Sequence, residues 1–258
     1  MTQHQLSNRT EHEVLWFQRR SFLRAAALWT SLGGTLGAQA QSRSNIVTLV
    51  GDAQANGSRL QADQTIRNGD ELVTGPGASL VFVMGDSAFH LRQNSRLKVE
   101  GDTGGAVVNA LRLLTGGVIS VWGKGPQRKI TTPTLTAGIR GTGVYTEVFP
   151  EQDNRSYLCT CYGVVDLEAS SERTLVEAEY HNAFWGEPSA RNGRLLTPAP
   201  LLNHTDEELE YLAQLVNQRT AWQITGRKGA KDGSGYGGYG GYGSSGSSDP
   251  SGYGKITP

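Results

Sequence analysis

Ser79-Leu80-Val81-Phe82-Val83-Met84-Gly85-Asp86-Ser87-Ala88-Phe89-His90-Leu91 decides the fold class. Two runs rich in β-branched and aromatic residues flank Gly85-Asp86, a turn pair, so the stretch reads as strand, tight turn, strand. The first run does not alternate. Unbroken apolar sequence over a strand's length predicts a strand buried on both faces.

The same pattern continues outward. Ile46-Val50, Leu97-Glu100, Gly117-Trp122, Val144-Phe149 and Val164-Leu167 read as further strands. Asn68-Gly69-Asp70, Gly75-Pro76-Gly77, Gly101-Asp102, Gly104-Gly105, Gly116-Gly117 and Gly123-Lys124-Gly125-Pro126 read as turns between them. Turns recurring about every ten residues predict an all-β sandwich, barrel or solenoid. One domain over 46–196 is expected. With the segment that follows, about 160 patterned residues can bury a core without disulfide staples.

A single amphipathic helix is expected over 205–225. Thr205 and Glu208 have the spacing of a capping box. Asp206, Glu207 and Glu208 suit the positive end of the helix dipole. Leu209, Leu212, Ala213 and Val216 form an apolar stripe at helical spacing, and Gly226 can end the helix. Beyond it, 227–258 is rich in Gly, Tyr and Ser, a composition that cannot bury enough apolar surface to offset backbone ordering. A disordered tail is expected there.

The N-terminus reads as an export signal. Gln18-Arg19-Arg20-Ser21-Phe22-Leu23-Arg24 resembles the twin-arginine consensus through Arg19, Arg20, Phe22 and Leu23. A moderately apolar run follows, and Ala38-Gln39-Ala40 supplies the small residues a signal peptidase needs, with Ala38 and Ala40 at the cleavage site. About 12 apolar residues cover about 18 Å, short of a ~30 Å hydrocarbon core. Residues 1–40 are therefore expected to be a cleaved signal, read by the twin-arginine translocase and signal peptidase. The mature chain would begin near Gln41, reside in the periplasm or cell envelope, and span no membrane.

Composition narrows the function. Taking four arginines and two glutamates in the signal from 24 bases and 24 acids leaves 20 against 22, a net −2. That leaves no basic excess to neutralise phosphates, so nucleic acid is excluded as a partner. There is no Gly-x-Ser-x-Gly elbow, phosphate loop or paired-carboxylate pattern, and no enzyme is expected.

Four segments in order resemble the FecR domain. They are Gly69-Asp70-Glu71-Leu72-Val73-Thr74-Gly75 with the hairpin above; Leu113-Leu114-Thr115-Gly116-Gly117-Val118-Ile119; Thr132-Pro133 through Arg140-Gly141-Thr142; and Tyr162-Gly163-Val164-Val165-Asp166-Leu167. The resemblance covers about 46–169. It implies an all-β, solenoid-like or rolled sheet in the cell envelope, here with one C-terminal helix and a disordered tail. The best-known members are transmembrane regulators of sigma factors. Only 18 residues precede the twin arginine, too few for a sigma-binding domain, so a free-standing binding or assembly module is expected, with a use in envelope signalling. Arg140, the one charge in an apolar stretch, is expected to tie neighbouring carbonyls or a carboxylate.

Cys159-Thr160-Cys161-Tyr162-Gly163 is the one chemically suggestive motif. Residues two apart on a strand project to the same face, so both sulfurs can reach one centre. An intrastrand disulfide fits poorly, because same-face Cβ atoms lie about 6.5–7 Å apart against ~3.8 Å in a disulfide. Three fates stay open: buried core thiols, a disulfide across a bulge, or a site for a soft metal such as zinc or copper. For the last, His181 is the third ligand expected, and Asp166 or Glu168 could fill a fourth position. A FecR-domain variant with the same Cys-Thr-Cys-Tyr-Gly run and a downstream histidine is similar. The alternative function is thus a periplasmic metal-binding or redox protein.

Overall fold

The computed structural model describes residues 44–102, 107–226 and 228. Arg19, Arg20, Phe22, Leu23, Ala38 and Ala40, with nearly all of 227–258, lie outside the described residues.

The described residues form a single open sheet of fourteen strands. β1 (Ile46–Val50) pairs with β5 (Ser79–Met84), which makes the expected hairpin with β6 (Ser87–Leu91). β2 (Ala53–Ala55), β3 (Ser58–Arg59), β4 (Glu71–Thr74) and β7 (Arg96–Glu100) build one edge. Three strands are much longer than the sequence pattern implies: β8 (Ala110–Val121), β10 (Thr136–Phe149) and β11 (Arg155–Ala169). β9 (Arg128–Thr131), β12 (Glu172–Ala178), β13 (Asn182–Arg191) and β14 (Arg194–Ala199) complete the sheet.

Each long strand changes partner midway, and this rolls the sheet. β8 pairs with β7 and β9 up to Thr115, then with β10 and β6. β10 leaves β9 after Ile139 and joins β8 at Gly143. β11 pairs with β13 over Ser156–Thr160 and with β12 from Gly163 onward. A positive-φ glycine sits at every change: Gly116, Gly141 and Gly163. Glycine enters that region without Cβ strain, so the backbone can bend there and keep its ladder on both sides.

Rolling creates two apolar layers. The inner core packs Leu80, Phe82, Phe89, Leu91, Trp122 and Leu158 with many aliphatic residues. The outer layer takes the opposite faces of the same strands, including Val81, Ala88, Ile119, Tyr145, Cys159 and Cys161. That is why β5 reads as an unbroken apolar run: Leu80 and Phe82 face inward while Val81 faces outward.

Two short helices cover the outer layer: α1 (Asp206–Leu215) and α2 (Ala221–Thr225). α1 begins at the expected Thr205–Glu208 capping box and buries Leu209, Leu212 and Ala213. Asn217 adopts a left-handed φ of 54° and breaks the helix. A second capping box, Thr220 with Gln223, restarts it, and Trp222 is buried beneath α2. Arg140 does not tie the chain as expected. It is exposed on β10, and its charge acts on Asp166, which is itself bound by Arg173.

Candidate metal centre

The long ladder between β10 and β11 places Cys159 opposite Tyr145, and both side chains join the outer layer. Cys161 follows two residues later on the same face. Both thiols are fully buried and neither is in a disulfide. His181 sits in the turn between β12 and β13, just before the ladder that pairs Thr160 with Asn182. Its backbone N–H donates to the Cys161 carbonyl at 2.9 Å, which fixes it level with the cysteines.

The fourth member, His204, comes from the segment leading into α1. One donor atom from each of Cys159, Cys161, His181 and His204 lies within 4.8 Å of all the others. Neither acid considered for the fourth position takes part: Asp166 is on the far half of β11, bound to Arg173, and Glu168 is beyond it. The sequence did carry a signal for His204. Two of the five histidines, His4 and His12, precede the paired arginines, so only His90, His181 and His204 remain. His90 is held elsewhere, with Nε2 2.9 Å from Ser79 Oγ.

Outer contacts set the tautomer of each imidazole. His204 Nδ1 lies 2.6 Å from the Leu202 carbonyl, which only accepts, so Nδ1 carries the proton and Nε2 presents a lone pair. His181 Nε2 donates to Asp206 Oδ1 at 2.8 Å, so in the neutral ring Nδ1 presents a lone pair. Tyr180 donates to the other Asp206 oxygen at 2.9 Å. The two free nitrogens face each other at 3.1 Å, and His181 Nδ1 lies 3.4 Å from Cys159 Sγ. Two lone pairs this close favour a proton or a metal ion among the donors.

The electrostatics agree. Burial opposes ionisation of Cys159, but the Cys161 thiol and the two imidazoles outweigh it and hold Cys159 well below the usual thiol range. Burial and the adjacent Cys159 push Cys161 up. Burial works against protonated His181, yet the Cys159 sulfur and Asp206 raise it to about 9. Both directions favour a thiolate–imidazolium pair when a proton supplies the positive charge.

Two chemistries fit such a set. Cys159, His181 and Asp206 stand in the order of a nucleophile, its base and an orienting acid. The sulfur is inaccessible, however. A cavity of about 470 Å³ is lined by Arg92, Tyr145, Glu147 and Asn203 among others, but by none of the four donor residues. The second chemistry is metal binding. Two thiolates and two imidazoles suit a tetrahedral soft ion, whose ligand atoms would stand about 3.3–3.8 Å apart given bonds of ~2.0–2.3 Å. The 3.1 and 3.4 Å separations are close to that and the whole set, within 4.8 Å, would tighten around an ion; both histidines have the outer partners that metal-bound imidazoles need.

Comparison with known proteins follows the same outline. Residues 70–165 match the family model described as FecR protein. Cys159 and Cys161 lie inside that span, and His181 and His204 beyond it. Two crystal structures of a candidate anti-sigma factor from Parabacteroides distasonis, at 1.65 and 2.50 Å resolution, are similar at 10% and 11% identity, each with a TM-score of 0.42. The alignments cover 56% of this chain and 64% and 63% of those chains, so this chain spans less than two thirds of their length. No curated protein matches the sequence. Among the described residues, no helix is long and apolar enough to cross a membrane.

Proposed function

A FecR domain spans residues 70–165 of this chain, and from that premise we propose that the protein is an exported, non-enzymatic module of envelope signalling that binds a soft metal ion through Cys159, Cys161, His181 and His204. The family supports a regulatory rather than a catalytic role. The observation that carries the metal is the convergence of four donor atoms within 4.8 Å, with both imidazole tautomers set so that their lone pairs face inward. Burial of both sulfurs supports holding an ion over attacking a substrate. Export would follow the twin-arginine route, which carries folded proteins and so permits a centre filled before translocation.

Metal analysis of the mature protein, purified from cells given ample zinc and copper, tests this reading. About one ion per chain is expected. Cobalt added to metal-free protein should show the visible bands of a four-coordinate ion and thiolate charge transfer. Cys159→Ser should abolish the charge-transfer intensity or reduce it sharply. Protein that retains no metal and produces no such spectrum would overturn the reading.

A further inference from the structure

The four donors come from two parts of the chain. Cys159 and Cys161 lie on β11 and His181 in the turn after β12, all belonging to the sheet. His204 belongs to the segment that lies over the sheet, and Asp206, which orients His181, is the first residue of α1. From this division we propose that the metal ion is a clasp, fastening residues 200–226 over the outer face of the sheet, so that metal binding and docking of this segment are one linked equilibrium. The proposal rests on the metal reading given above.

The interface beneath the segment explains why a clasp has work to do. Much of it is polar. Arg92 donates to both Glu208 oxygens at 2.8 and 3.0 Å, with both side chains buried. Asn203 donates to the buried Glu147 at 2.7 Å. Tyr157 donates to the Pro200 carbonyl at 3.1 Å and accepts from Leu202 N–H at 3.3 Å. Burying charges and amides returns little net stability, because each contact replaces one with water. The apolar part is built from Leu202, from Leu209, Leu212 and Ala213 of α1, and from Trp222 of α2 against Tyr162, Tyr180 and His181. A metal bond to His204 adds a strong link at the point where the segment enters its helix.

Coupling of this kind is reciprocal. If docking brings His204 to the ion, the ion must favour docking by the same factor. Burial adds a kinetic consequence. With His204 1% exposed and both cysteines at 0%, an ion cannot leave while the segment is down. Metal release therefore waits for the segment to lift, and the segment lifts less often when metal is bound.

Hydrogen exchange read by mass spectrometry on the full mature chain tests the clasp, using zinc as the probe. In zinc-loaded protein, amides of 201–226 should exchange at least about tenfold more slowly than after chelation, the size of a modest coupling. Amides of β5 and β6 should not change. His204→Ala should still take up zinc through the three sheet ligands, more weakly, and its 201–226 amides should no longer respond to zinc. If the wild-type protein holds zinc but 201–226 exchanges equally with and without it, the clasp fails and the metal reading stands. If chelation releases β5 and β6 as fully as 201–226, the ion supports the whole domain and the local clasp fails. If the wild-type protein binds neither zinc nor copper, the metal reading fails and the clasp with it.

Discussion

Gly163 closes the Cys-Thr-Cys-Tyr-Gly run and adopts a φ of +95°, where β11 exchanges β13 for β12. A Cβ there would run into the Thr142 side chain and approach the Gly141 carbonyl at 3.3 Å. Gly163→Ala should therefore destabilise the fold by about 1–3 kcal/mol, seen as a lower denaturation midpoint. A midpoint within error of wild type would show that the bend is not a constraint. Glu147 poses a different problem at the same scale. Burial is the main cause of a carboxyl held above its ordinary range, despite hydrogen bonds from Asn203 and Tyr145. The folded state then binds this proton more tightly than the unfolded chain, so its contribution to stability is complete at low pH and falls as pH rises. Glu147→Gln keeps an acceptor for Asn203 and removes the titration. The variant's melting temperature should gain on wild type between the ordinary carboxylate range and neutrality; a difference independent of pH would contradict this. Residues of this kind set how far the sequence could be read. The shared face of Cys159 and Cys161 was legible from period-two geometry, and the nearness of His181 from its place one strand pair later. For His204 the only signal was elimination among the three histidines after the paired arginines, because nothing local to Asn203-His204-Thr205 says that the chain folds back over the sheet.

At the level of elements, the capping boxes have testable weight. Thr205 accepts from Glu208 N–H, and the Glu208 carboxylate returns to Thr205 N–H at 2.9 Å. That carboxylate also receives Arg92, so one side chain both caps α1 and anchors it. Thr205→Ala should cost about 1 kcal/mol. Arg92→Leu should cost about 3–5 kcal/mol, because it leaves the buried Glu208 carboxylate without its guanidinium and with only His90 Nδ1 nearby, at 3.8 Å. Chemical denaturation of the two variants should reproduce that order, and equal losses would show that the ion pair has no special weight. The start of α1 was legible as Thr-x-x-Glu. The break at Asn217 was harder, since the apolar stripe runs on through it, although Thr220-x-x-Gln223 spells a second cap. Strand lengths were the poorest reading. A strand that changes partner at a glycine looks, in sequence, like a strand that ends there.

For the whole molecule, the all-β class followed from turn spacing and from the apolar run of β5, whereas the rolled sheet was implied by the resemblance to the FecR domain. The paired layers behind that run depend on which strands meet, which pattern alone does not encode. Export remains a matter of the N-terminal residues. The translocase should read the guanidinium pair itself, so replacing Arg19 and Arg20 together by Lys should leave precursor in the cytoplasm. Fractionation with an unchanged periplasmic yield would exclude the twin-arginine route. The division of the centre between sheet and covering segment also sets a schedule for synthesis. Two thiols emerge from the ribosome first, at 159 and 161, His181 follows, and some forty residues separate Cys161 from His204 and the Asp206 that steadies His181. At ≈ 5–20 residues per second that delay is on the order of seconds, and on the metal reading a half-built site is open to the wrong ion or to oxidation until His204 has emerged.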